Sequence, residues 1–319
     1  MWSGTSLTWK ARRLISYLGR LSGATGTYRP QRWLSVDPRV SLRFVPTVAD
    51  WLFPTADILV ATAWQTAERL QHFAPALGRK FYLVHDYEHY MAAGAELRAR
   101  IGATFRTGMH HIVTSPAGAA MVTECGGKVH SYIPNGIDFN LFALREPVDS
   151  PRRLSLGFPS RPESFKGTAD AVSALCLVRE VLGERLVVWT FGGEAPPGLP
   201  AWISFHQRPS NADLAALYNQ SAVFIVPSYY EGWGLPGAEA MACGAALVST
   251  ENGGVRAYAE HEVNALLVPP KQPRALAEAI LRLCKLPTLR LQLAVAGQRS
   301  IQRFTWSRAV DTFEESILK

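Results

Sequence analysis

The sequence predicts an α/β protein built from two successive α/β units, and three observations carry that prediction. Short apolar runs of strand length alternate with helical stretches between residues 40 and 134, and the alternation resumes from 153 to 302. Such alternation argues for mostly parallel sheets with helices on both faces. The interval 134–152, PNGIDFNLFALREPVDSPR, has turn signals at both ends and no sustained period, and reads as an interdomain linker. The length of 319 residues suits two domains at roughly 100–200 residues each.

In order along the chain, VSLRFV (40–45) reads as a first strand. ADILVAT (56–62) reads as a strand followed by a helix, WQTAERLQHF (64–73). KFYLVHD (80–86) is the next strand and ends in a polar cluster. A helix over 94–108 leads to the strand HHIVTS (110–115), then to a helix over 116–126 with proline near its start, then to the strand KVHSYIP (128–134). Beyond the linker, strands are expected at 153–157, 185–191, 202–206, 222–227, 245–249 and 265–268. Helices are expected at 166–182, 211–220, 235–243, 254–260, 272–285 and 288–302. A final helix, 306–317, can pack on either domain, the first included. The expected division is 1–145, 146–303 and this last helix, 304–319.

Composition narrows the class. Hydrophobic residues make up 48% and charged residues 18%, which suits a sizeable core rather than a disordered chain. No apolar run reaches the roughly 18 residues of a membrane span, and the apolar stretch after the first basic residues is too broken for a signal peptide. Cys125, Cys176, Cys243 and Cys284 lie far apart, with neither metal-ligand spacing nor a disulfide framework, which fits a reducing cytoplasm.

The net charge of +7 is concentrated at the start, where residues 1–50 hold eight basic side chains against Asp37 and Asp50. Residues 7–21, LTWKARRLISYLGRL, have helical spacing, with Leu7, Leu14, Leu18 and Leu21 on one stripe. Such a helix can rest on an anionic membrane surface or pack on its own domain with a solvated basic face. Nucleic-acid binding is disfavoured, because no recognition motif or aromatic platform accompanies the basic residues.

A two-domain α/β protein places its ligand between the domains, outside the carboxyl ends of the strands. Three groups follow strand runs. His85, in LVHDYEHY, can donate to a ligand hydroxyl, shape a polar wall, or belong to a polar surface loop. Its neighbours Asp86, Glu88 and His89 raise the question of a metal, but adjacent turn residues rarely converge on one ion. His110 and His111 precede a strand and are expected to be structural. In GFPSRPESFKG (157–167), Arg161 and Lys166 stand at a strand-to-helix turn suited to a diphosphate. No GxxxxGK[ST] signature is present, and FGG at 191–193 is too short for a dinucleotide fingerprint.

The third group is PSYYEGWGLPGAEAMACG (227–244). Glu231 precedes the loop Gly232–Trp233–Gly234, Pro236 fits a first helical turn, and Glu239 follows early in that helix. The free amides near Leu235 leave room for an anion. Two carboxylates here can accept hydrogen bonds from sugar or ribose hydroxyls. Alternatively, Glu231 is a solvated loop residue and Glu239 a helix-start carboxylate held by the dipole.

The run from Glu231 to Glu239 resembles the Glu-x7-Glu motif of retaining glycosyltransferases of the GT-B architecture, family GT4, in which two Rossmann-like α/β/α domains face each other across a cleft. RPESFKG (161–167), VPSYYEGWGLP (226–236), the glycine pair of ENGGV (251–255), HEVNALLVPP (261–270) and IPNGIDFNLF (133–142) extend the resemblance over most of 110–310. It implies that Arg161 and Lys166 hold the donor diphosphate and stabilise the leaving group, and that Glu239 accepts from the ribose hydroxyls. It implies further that Glu231 holds the transferred sugar beside the amides of Gly232, Trp233 and Gly234, and that His85 faces the donor sugar from across the cleft.

The resemblance implies no metal and no cofactor beyond a dTDP-, UDP- or GDP-linked sugar. The glycine-rich first loop common in the family is missing from this sequence. A looser similarity of YLVHDYEHYMAAGAE to rhamnosyltransferases of bacterial surface glycans points to a deoxysugar donor and a glycan or lipid-linked saccharide acceptor. The competing classes are a nucleotide-sugar epimerase on the same scaffold and a catalytically impaired sugar-nucleotide-binding scaffold.

Overall fold

The described residues of the computed structural model (37–43, 45, 47–150 and 155–319) form two parallel sheets. The basic segment 7–21 lies outside the described residues.

The first sheet has the order β1-β2-β3-β4, with β1 at Ile58–Ala61, β2 at Arg79–Val84, β3 at His110–Val113 and β4 at Val129–Tyr132. Alternation along β2 sends successive side chains to opposite faces. Tyr82 and Val84 meet helix α1 (Trp64–Leu70), and Tyr82 stacks on Phe105 at the end of helix α3 (Ala95–Phe105). The short helix α2, Tyr87–Ala92, lies directly after β2, and α4 (Pro116–Glu124) follows β3. Phe81, Ile112 and Ile133 form the opposite face.

None of the described residues of the expected strand at 40–45 lies in a strand. Val40 and Leu42 are 53% and 46% exposed, so the alternation there buries no face among the described residues. Helix α2 stands where the sequence shows only a polar cluster after β2.

The second sheet runs β10-β9-β8-β5-β6-β7: β5 is Ser155–Pro159, β6 Val187–Gly192, β7 Ile203–Gln207, β8 Ser221–Val226, β9 Ala246–Thr250 and β10 Leu266–Val268. Every residue of β5, β8 and β9 is buried, as the unbroken apolar runs of a sheet covered on both faces require. Helices α5 (Thr168–Leu182) and α8 (Pro273–Lys285) cover one face. Leu276, Ala277, Ile280 and Leu283 of α8 share a stripe with helical spacing. Helices α6 (Asn211–Gln220) and α7 (Leu235–Ala242) cover the other face. Helix α9, Pro287–Ile301, packs against α7 and β9. The expected helix at 254–260 is reduced to a 3-10 turn, Gly254–Ala257.

From β5 the chain moves outward to β6 and β7, then returns to the other side of β5 as β8 and continues outward to β10. The loops leaving β5 and β8 therefore diverge and open a crevice between them, the topological switch point where open α/β sheets bind ligands.

Two strands of chain connect the domains side by side. The outgoing one passes Ile137, whose N–H donates to the carbonyl of Phe304 on the returning one at 2.8 Å. Helix α10, Trp306–Leu318, then lies on the first sheet. Its Ala309, Phe313 and Ile317 cover Phe81, Ile112 and Ile133. His130 Nε2 meets the carbonyl of Ser316 at 2.9 Å, and Arg79 donates to that of Ile317 at 3.0 Å.

Candidate functional site

Strand β5 ends at Pro159, and the chain turns through Arg161 into a 3-10 turn, Ser164–Lys166. Thr168, at the start of α5, clamps this turn. Its hydroxyl accepts from the Arg161 N–H at 3.0 Å and donates to the Arg161 carbonyl at 2.9 Å. The Arg161 guanidinium donates to the carbonyls of Ser160 and Phe191 at 2.8 and 3.2 Å and lies over the Phe191 ring. Gly167 has φ +67°, and a Cβ there would stand 2.1 Å from the carbonyl oxygen of Pro227. Only glycine lets the Lys166 turn lie this close to the exit of β8.

The β8 exit is held from below by the loop after β9. The Glu231 N–H donates to the carbonyl of Asn252 at 2.9 Å. A Cβ on Gly254 would meet the Glu231 carbonyl oxygen at 2.6 Å and the Trp233 nitrogen at 2.7 Å, so the glycine pair of ENGGV is the floor of this loop. Trp233 is buried against Tyr258 and Phe304. The Tyr258 hydroxyl donates to the carbonyl of Gly234, the cap of α7, at 2.8 Å. The loop is thereby fixed with the first amides of α7 left free of intrahelical partners.

The first domain supplies the opposite wall. His85 follows β2, Glu88 sits in the first turn of α2, and Asn135 lies on the outgoing connection. Asp86 is buried and accepts from the Tyr82 hydroxyl, so it is a structural anchor. Lys166 Nζ lies 2.6 Å from Glu88 Oε2 and 3.0 Å from Glu231 Oε2, with all three side chains largely shielded from water. One ammonium thus joins a carboxylate from each domain.

Burial is the largest influence on the Lys166 ammonium and works against it, but Glu231 and Glu88 together outweigh it and hold the pKa above its ordinary value. Burial raises the pKa of Glu231, with Lys166 opposing. Burial also raises that of Glu239, to about 7, against the hydrogen bond from Tyr218. His85 is lowered by partial desolvation in the cleft, against Asp86 and Glu88. Its imidazole is therefore neutral at pH 7.

Two adjoining cavities result. One, of about 310 Å³, is lined by residues that include His85, Glu88, Asn135, Lys166 and Glu231. The other, of about 460 Å³, reaches Gly192, Gly193, Arg208 and Glu239. Arg161, Leu235 and Pro236 line both. Chemically, the pair offers one compartment for a hydroxyl-rich group, one for a flat group with vicinal hydroxyls, and a cation with helix-start amides between them for an anion.

All nine residues singled out in the sequence surround this cleft or support its walls, although Trp233 acts mainly as a buried support. Glu231 and Glu239 are not simply solvated. His110 stacks against Phe81 and His130, and His111 is buried between the carbonyls of Lys128 and Thr104. Among the described residues, no group of three or more His, Cys, Asp or Glu side chains could hold a metal ion, so His85, Asp86, Glu88 and His89 do not form one.

Glu88, Asn135, Thr168 and Arg208 complete the walls of the cleft beyond the nine residues singled out in the sequence. Asn135 carries a usable signal as part of the IPNGID run. Arg208 is visible only in the backbone, where φ is +45° and its N–H donates to Gly192 at 2.9 Å, a conformation that non-glycine residues adopt at a cost.

The architecture matches solved GT-B structures. The chain superposes with a TM-score of 0.69 on HepE of Anabaena in complex with UDP-glucose, at 20% identity, covering 82% of this chain and 78% of that one. It superposes with 0.68 on a sucrose-phosphate synthase from Thermosynechococcus elongatus, at 23% identity over 81% and 72%. Residues 198–300 match the family model for glycosyl transferases group 1. The chain is a GT-B fold protein carrying a group 1 region.

Two curated relatives add detail. The GT-B chain is 28% identical over 279 residues to the O-antigen biosynthesis protein RfbC of Myxococcus xanthus, covering 84% of this chain and 21% of that protein. It is 31% identical over 187 residues to a D-inositol 3-phosphate glycosyltransferase of Saccharomonospora viridis, covering 53% and 43%. The chain therefore spans about a fifth of the first relative and less than half of the second. No helix among the described residues is long and apolar enough to cross a membrane.

Proposed function

We propose that this protein is a retaining glycosyltransferase of the GT4 type. It moves a hexose or deoxyhexose from a nucleoside-diphosphate sugar to a hydroxyl of a glycan or lipid-linked saccharide in bacterial surface polysaccharide synthesis. The observation that carries the reading is the pair of adjoining cavities with Arg161 on their shared wall, Lys166 and Glu231 in one and Glu239 in the other. That spacing suits a sugar, a diphosphate and a nucleoside in sequence. The likeness to an O-antigen biosynthesis protein over 84% of this chain supports the surface-glycan setting. The UDP-glucose in HepE makes UDP the first base to test.

In this reading, Glu239 accepts from the ribose hydroxyls, and Glu231 accepts from those of the sugar beside the Gly232–Gly234 loop. As the anomeric bond lengthens, negative charge grows on the leaving diphosphate and positive charge on the ring. Arg161, Lys166 and the α7 amides neutralise the former without reorganising. Neutral His85 faces the sugar from the first domain. The acceptor hydroxyl attacks on the face from which the phosphate leaves, and its proton passes to the departing phosphate oxygen. In this reading the enzyme works in the cytoplasm.

The test is calorimetric titration with UDP, dTDP and GDP, followed by a donor-consumption assay with and without added glycan acceptors. Consumption that depends on acceptor supports transfer. Isomerised donor without acceptor means an epimerase. Tight binding with no turnover on any acceptor means a scaffold.

A further inference from the structure

Lys166 already donates to two carboxylates, and a diphosphate would make a third anionic claim on a single ammonium. Its Nζ lies between Glu88 Oε2 and Glu231 Oε2, and only 16% of its side chain is exposed. The two carboxylates differ in attachment. Glu231 is tied into the second domain by its own N–H bond to Asn252 and by the Gly254 floor, so it stays with Lys166 whatever the domains do. Glu88 sits on α2 of the first domain and reaches Lys166 only across the cleft. A dianion arriving beside Arg161 would place four negative charges, with Glu88 and Glu231 included, against two cations. The charge that can leave is Glu88.

We propose that Glu88 is a positioning residue that competes with the donor's diphosphate for Lys166. In the empty cleft it ties the domains together through the ammonium. Donor binding transfers the ammonium from Glu88 to phosphate and leaves Glu88 as a free carboxylate on the acceptor-side wall with His85 and Asn135. This inference rests on the proposed donor reading.

The test is calorimetric titration of UDP, dTDP and GDP into the full chain, wild type and E88Q, with E88A as a second variant and K166M and K166M/E88Q completing a cycle. The proposal expects E88Q and E88A to bind the nucleoside diphosphate more tightly than wild type, by about tenfold. It expects that gain to shrink to within about twofold when K166M is compared with K166M/E88Q. A residue that merely braced the domains would leave affinity unchanged or lower it, and either result overturns the proposal. An equal gain in the K166M background also overturns it, because the effect would then be plain repulsion of the ligand rather than competition for the ammonium. Absence of nucleoside-diphosphate binding by every form, wild type included, would sink the donor reading itself.

Discussion

The phenol of Tyr218, fully buried beneath α7, donates its hydroxyl to Glu239 Oε2 across 3.3 Å. This donor does not compensate for the desolvation of the carboxylate, so the pKa of Glu239 stands at about 7 against an ordinary value of 4.5. Glu239 lines the cavity of about 460 Å³.

Glu239 should therefore make the empty protein less stable as pH rises. Between pH 4.5 and 7 the folded state binds more protons at this site than the unfolded state, so stability falls through that window. The shift corresponds to at most about 3 kcal/mol before screening through the cleft mouth reduces it. Urea denaturation should show E239Q gaining on wild type at pH 8 and matching it near pH 4.5. In the same variant, UDP binding at pH 8 should weaken by about tenfold. A stability difference that does not change with pH would contradict the assignment.

Removing the Lys166 ammonium should damage turnover far more than folding. K166M should lower kcat by about a hundredfold or more, the scale of losing a preorganised group at a developing charge. It leaves Glu231 and Glu88 facing each other without their shared cation. The apo protein should lose about 1–3 kcal/mol at pH 8 and less at pH 5, which is nearer the raised titration range of the buried Glu231 carboxyl. Equal losses at both pH values would mean the triad is not electrostatic.

Gly254→Ala should lift the Glu231–Trp233 loop. Its Cβ meets two backbone atoms, Glu231 O at 2.6 Å and Trp233 N at 2.7 Å, and neither can rotate away. We expect a stability loss of about 1–3 kcal/mol together with weaker donor binding. A stable variant with unaltered donor affinity would show that the loop does not need its floor.

His85→Ala should reduce transfer by about 10- to 100-fold while leaving nucleoside-diphosphate affinity within about twofold of wild type. His85 reaches the smaller cavity from the first domain, away from Glu239 and Arg208. A parallel loss of nucleotide affinity would place it in the wrong compartment.

The second domain was readable because its strands are buried on both faces. SAVFIV and ALVST are mostly apolar and buried throughout, and the polar residues after them are therefore conspicuous. Glu231, Glu239, Arg161 and Lys166 stood out for that reason. The first domain was less legible. VSLRFV has the alternation of a strand, but none of its described residues pairs in a sheet, and pairing is not written in a local pattern. Helix α2 was obscured by polar residues, and with it Glu88, whose importance lies in a contact with a lysine 78 positions away. Thr168 acts through a hydroxyl that clamps a backbone turn and Arg208 through its own backbone geometry, and neither leaves a compositional trace.

The most direct measurement is a crystal structure of the full chain with UDP, or with whichever of GDP and dTDP binds more tightly. The account predicts the diphosphate against Arg161, Lys166 and the α7 amides, the ribose hydroxyls on Glu239, and Glu88 detached from Lys166. A nucleotide bound elsewhere, or a cleft that stays empty with Lys166 still between Glu88 and Glu231 at saturating ligand, would contradict it.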